Sequence, residues 1–167
     1  MTMKRMFTML VMTFSLMVCQ AQVTNLSIEQ KIDSLQTQLD KLQRDYDYLN
    51  CEYKLNRIIH ELDIFKNGLN TTSNSILMNC YHNNCESTLY MAYKLNYDSS
   101  LESYESKKSN AYVTIASISY KLEISDFNAL EIELLKSCID NIETSLVAAK
   151  SSLDYLKVVL DIYRKSL

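Results

Sequence analysis

From Ile28 the apolar residues recur at Ile28, Ile32, Leu35, Leu39, Leu42, Tyr46, Leu49 and Tyr53, in steps that alternate four and three. That spacing gathers them on one stripe of an α-helix and is the seam pattern of a coiled coil. Ser27 stands where a helix cap is wanted. Past Tyr53 the stripe drifts to Leu55, Ile58, Leu62, Phe65 and Leu69, and Asn67-Gly68 reads as the stop signal of this first helix. The final segment is more regular. Ile132, Leu135, Ile139, Ile142, Leu146, Ala149, Leu153, Leu156, Leu160, Tyr163 and Leu167 keep the four-three step, with Ser125 or Asp126 as the expected N-cap. Lys136, Lys150, Lys157 and Arg164 share one slot beside that seam. Such a row is expected at a solvated edge or opposite acids such as Asp45 and Glu52 of the first helix.

Between these segments one frame runs through Ile76, Cys80, Asn83, Ser87, Tyr90, Lys94, Tyr97, Leu101, Tyr104, Lys108, Ala111, Ile115, Ile118 and Leu122. Several of its slots are polar, so the seam is weak near its centre. Ser99-x-x-Glu102 would act as a capping box if the segment were two helices. Read as one helix, it gives three helices of about 41, 52 and 41 residues, with a first turn near residue 70. The pattern predicts an all-α fold: an antiparallel bundle of three long helices with coiled-coil-like packing. The alternative is a four-helix bundle with a two-helix stalk. The alternation of a half-buried strand appears nowhere.

Composition sharpens this picture. In 167 residues there is one glycine, Gly68, and no proline. A β-rich or α/β domain of this length needs many tight turns, and those turns need both residues. A phosphate-cradling loop is excluded for the same reason.

The first residues read as an export signal. Lys4 and Arg5 precede an uncharged run from Phe7 to Cys19, and Cys19-Gln20-Ala21 carries small residues at the two cleavage positions. The run is too short to span a bilayer, which takes about 20 apolar residues. The expected organisation is a signal peptide over 1–21 and a single elongated helical domain over 22–167, secreted or periplasmic. A minor alternative lipidates Cys19, although Val18 is a poor residue before a lipidated cysteine. Removal of the leader leaves 15 basic against 20 acidic residues, a net charge of −5. An acidic chain with no basic block is not expected to bind nucleic acid. No later stretch is apolar enough for a membrane span.

Candidate chemistry concentrates in Asn79–Glu86, which reads NCYHNNCE. Its cysteines lack the C-x-x-C spacing of thioredoxin-like sites. Cys80, His82 and Cys85, joined by His60 across a hairpin, would make a metal or small-ligand site. On an unbroken helix, however, residues 80 and 85 point about 140° apart. Asn79, Asn83 and Asn84 weaken helix there. His60-Glu61-Leu62-Asp63-Ile64 lacks the second histidine of a zinc-protease helix. The positions three before His60 and His82 are Arg57 and Asn79, not the glutamates of a di-iron bundle. The stretch is therefore expected to be a weak, thiol-bearing turn of helix without a catalytic role. With a turn near residue 70, Cys85 comes level with residue 55, which makes Cys51–Cys85 the expected disulfide if one forms. In that geometry Cys138 lies about 18 Å along the axis from Cys51 and stays a free thiol. The tyrosines at 46, 53, 90, 97, 104 and 163 fall on seams and are expected to thicken the core. Asn25-Leu26-Ser27 and Asn70-Thr71-Thr72 match the glycosylation acceptor pattern.

Long helices with few turns supply area rather than a pocket, whereas enzymes need convergent polar groups in a concave site. The chain is expected to be a non-enzymatic exported protein, without cofactor, presenting a long surface to a protein partner or to itself. The alternative is a ligand- or metal-binding bundle around Cys80, His82 and His60.

Overall fold

The computed structural model describes residues 28–82 and 84–167, with the side chain of residue 29 excepted. The leader over 1–21, Cys19, the Ser27 cap, the Asn25–Ser27 acceptor and the seam position Asn83 lie outside the described residues. Three helices follow one another: α1 (Ile28–Tyr81), α2 (Ser87–Ile124) and α3 (Ala129–Lys165). The described residues contain no strand and divide into two units, residues 28–45 and Tyr46–Leu167. The fold is an all-α three-helix bundle.

Within the larger unit the bundle is stitched from end to end. Asp47 of α1 takes Lys121 of α2 at 3.1 Å, and Glu61 takes Lys107 at 3.9 Å. Phe65 stacks on Tyr104 with ring centroids 6.4 Å apart. The Tyr104 hydroxyl reaches the Leu146 carbonyl of α3 at 3.5 Å, and Cys138 of α3 lies against Asn56 of α1 at 4.0 Å. α2 and α3 approach most closely. Ala111 and Ala149, fully buried on their facing stripes, suit that approach. The cations that reach α1 come from α2. The row on α3 works locally instead, with Lys150 bonding Asp154 at 2.9 Å and Arg164 facing Asp161 at 4.0 Å.

The helix ends depart from the sequence reading. α1 runs through Gly68 for another thirteen residues and is 54 residues long. Gly68 is exposed, and a Cβ built there would meet nothing within 4 Å. Helical hydrogen bonding and the burial of Leu69, Ser73 and Ile76 carry the helix past it, against a propensity cost of about 1 kcal/mol. α2 is correspondingly short, 38 residues, and is continuous through Ser99 and Glu102. α3 is capped by Asn128 rather than by Ser125 or Asp126. The Glu131 N–H donates to Asn128 Oδ1 at 2.9 Å, and Asn128 N–H donates to the Glu131 carboxylate at 2.8 Å, a complete capping box. Ser125 instead ends α2, its N–H donating to the Lys121 carbonyl. Phe127 and Ile132 occupy the two hydrophobic-staple positions around this cap. Phe127 is buried edge-on against Tyr48.

Candidate functional site

α1 carries two apolar stripes. The heptad stripe that opens the helix is not the one the core uses. In the first unit Ile28, Ile32 and Leu39 are 78%, 58% and 50% exposed, and Leu35 and Leu42 are half-buried. In the second unit Tyr46, Leu49 and Tyr53 are exposed as well. The buried stripe starts at Cys51 and continues through Leu55, Ile58, Leu62, Leu69, Ser73 and Ile76. Tyr53 and Leu55 are two residues apart, which is about 200° around a helix, so the two sets occupy nearly opposite faces where they overlap. Buried Ser73 is the polar member of the core stripe. Its hydroxyl donates to the Leu69 carbonyl at 2.9 Å, so no hydrogen bond is lost there.

The second cluster is the α1–α2 connection. Asn84 N–H donates to the Asn79 carbonyl at 2.9 Å, and His82 N–H to Met78 at 3.0 Å. The His82 bond continues the helical pattern of α1, and the Asn84 bond, one residue longer, ties the outgoing chain to its last turn. Tyr163, from the last turns of α3, fixes the connection. Its oxygen accepts the Glu86 N–H at 2.9 Å, at the start of a helix whose N-cap residue, Glu86, makes no capping bond with its own side chain. The same oxygen lies 3.3 Å from the Asn84 carbonyl and 3.4 Å from the Glu86 carbonyl, toward which its hydrogen can donate. The Tyr163 ring is fully buried, with Tyr90 stacked at 6.5 Å and Tyr93 edge-on at 5.6 Å. The Tyr93 hydroxyl accepts from Asn79 at 2.7 Å.

This placement overturns the thiol geometry expected from a turn near residue 70. Cys51 and Cys80 lie on one helix, about 44 Å apart at 1.5 Å per residue. Cys85 returns beside Cys80, with Sγ–Sγ 3.8 Å, so Cys51 and Cys85 are not brought together. All four cysteines of the described residues are free. Cys138, against Asn56, lies five residues along α1 from Cys51, nearer than the 18 Å expected. Burial pushes the Cys51, Cys80 and Cys138 thiols up, and at Cys80 the neighbouring Cys85 adds to the effect. These thiols are protonated at neutral pH, which does not suit a catalytic nucleophile.

His60 is exposed on α1, twenty residues before Cys80 on the same helix and so about 30 Å from it. His82 is exposed, edge-on to Tyr81. Among the described residues no three His, Cys, Asp or Glu side chains are placed to hold one ion. A shallow depression lined by Ala129, Ile132, Glu133, Lys136, Ser137 and Asp140 is drawn from a single helix. Of the seam tyrosines, Tyr104 and Tyr163 are buried, Tyr90 and Tyr97 half-buried, and Tyr46 and Tyr53 exposed. Among the described residues no helix is long and apolar enough to cross a membrane. Compared with protein-family models, curated proteins and solved structures, the chain matches none of them.

Proposed function

We propose that this chain is an exported, non-enzymatic helical protein that acts by helix–helix contact, and that its first unit pairs with a second copy of itself. The four-three stripe Ile28–Leu42, with Ile28, Ile32 and Leu39 exposed, carries this reading. A helix in water draws most of its stability from packing an apolar face, and Ile28, Ile32 and Leu39 present such a face to solvent. The flanking residues suit self-pairing. In a parallel, in-register pair Lys31 meets Gln36 of the second copy and Gln38 meets Gln43, so no like charges oppose each other. Leucines at 35 and 42 with Ile32 in the alternate slot suit two strands. The charge, apolar run and small residues of 1–21 support export.

The test is the mass of the exported chain in solution across a hundredfold range of concentration, with N-terminal sequencing of the same sample. A reversible dimer beginning at Gln22 is expected. Leu35→Asp combined with Leu39→Asp should weaken dimerisation at least tenfold while leaving the denaturation of the Tyr46–Leu167 unit nearly unchanged. A monomer at every concentration would remove the second copy as occupant. A dimer indifferent to the double variant would place the contact elsewhere. A mature N-terminus at a lipid-modified Cys19 would overturn the soluble form of the reading.

A further inference from the structure

We infer that Cys80 and Cys85 are a redox pair that closes as an intrachain disulfide across the α1–α2 connection. The two sulfurs already touch, Sγ–Sγ 3.8 Å, against a bonded distance of about 2.05 Å. Their approach is built by the backbone. The Asn84–Asn79 hydrogen bond ties the outgoing chain to the last turn of α1, and the Tyr163 oxygen holds the Glu86 N–H one residue beyond Cys85. The fold therefore holds both thiols in place before any bond forms, and that lowers the entropy lost on closure. Both thiols are half-buried and so open to a small reagent. Cys51 is 2% exposed and lies far down α1, so it does not compete for either.

The oxidant is a low-molecular-weight disulfide such as oxidised glutathione. The thiolate of one cysteine attacks one oxidant sulfur, the oxidant S–S bond breaks, and one glutathione leaves as thiolate. The second cysteine, as thiolate, then attacks the protein sulfur of the mixed disulfide and releases the second glutathione. The two cysteines lose two protons and two electrons, and the oxidant gains them as two glutathione thiols. Burial raises the Cys80 thiol, so closure accelerates as the pH rises. The closed form fastens the connection just ahead of α2 to the last turn of α1. It does not depend on self-association through the first unit.

The experiment equilibrates the folded chain in oxidised or reduced glutathione, quenches with acid, alkylates and digests with trypsin. Cys80 and Cys85 fall in the single peptide between Lys66 and Lys94, whereas Cys51 and Cys138 fall in separate peptides. In the oxidised sample that peptide should be lighter by about 2 Da and unalkylated, with Cys51 and Cys138 alkylated. Alkylation of both cysteines after oxidation, or two lasting glutathione adducts on that peptide, would overturn the pair. So would capture of either thiol by Cys138. In the variants Cys80→Ser and Cys85→Ser the remaining thiol should hold its glutathione adduct unresolved. A melting midpoint that rises about 5 °C on oxidation of the native chain should not move in either variant. The same rise in Cys85→Ser would assign it to another cause and overturn the inference. Should a variant fail to fold, the peptide mass of the native chain still decides.

Discussion

The stripe of α3 and the opening stripe of α1 share one spacing and have opposite fates. Leu135, Ile142, Leu146, Ala149, Leu153, Leu156, Leu160 and Tyr163 are buried, while Ile28, Ile32 and Leu39 are open to solvent. The difference does not lie in the repeat. α3 packs against the Tyr104 face of α2 and beside Asn56 of α1, so its leucines meet other leucines. In α1 the buried stripe begins at Cys51, and Ile28, Ile32 and Leu39 of the opening turns stay exposed. A four-three repeat states that a helix has an apolar face. Whether that face is covered depends on what else the chain brings to it.

The comparison breaks most sharply under a buried charge. Leu146→Asp, at a position 4% exposed, should cost 3 kcal/mol or more, on the order of the penalty for an unpaired carboxylate in a core. At a concentration where the chain is monomeric, Leu39→Asp should cost about 0.5 kcal/mol or less, because the carboxylate stays in water. Denaturant melts of the two variants measure the contrast, and equal costs would mean that the α1 stripe is covered. A smaller effect is expected from Tyr163→Phe. It removes the oxygen that accepts the Glu86 N–H and should cost about 1–2 kcal/mol. Amide exchange should quicken at Glu86 and Asn84 well before it quickens at Leu146. Smaller still, and of opposite sign, is Gly68→Ala, expected to stabilise by about 0.5–1 kcal/mol because α1 is continuous there and no atom obstructs the methyl group. If the variant melts lower, α1 ends near Gly68 after all.

Helix content was the most legible feature of the described residues, because one glycine and no proline leave few of the tight turns that other folds need. Most of the α3 stripe was legible residue by residue, with Val159 a buried addition, Ile132 and Ile139 half-buried and Leu167 exposed. The turns were not. Gly68 carried the strongest stop signal, yet a lone glycine costs a helix only about 1 kcal/mol, and the core burial of Leu69, Ser73 and Ile76 outweighs it. The true connection lies among asparagines, which weaken helix without announcing a turn type. Its stability comes from Tyr163, 77 residues from Glu86, a contact no local pattern discloses. The error then spread to the thiols. A turn misplaced by fifteen residues put Cys85 opposite Cys51, whereas the true turn puts it beside Cys80. The Asn128-Glu131 box was readable, but the more familiar caps Ser125 and Asp126 stood just ahead of it.

The grip of Tyr163 on residues 84 and 86 also sets an order of events in the life of the chain. At about 5–20 residues per second, a ribosome adds Tyr163 some 4–15 s after Glu86. Throughout that interval the α1–α2 elbow exists without its clasp, and such non-local contacts close slowly in any case. Because the clasp arrives so late in synthesis, both arms of the elbow stand on the growing chain well before the residue that fixes them.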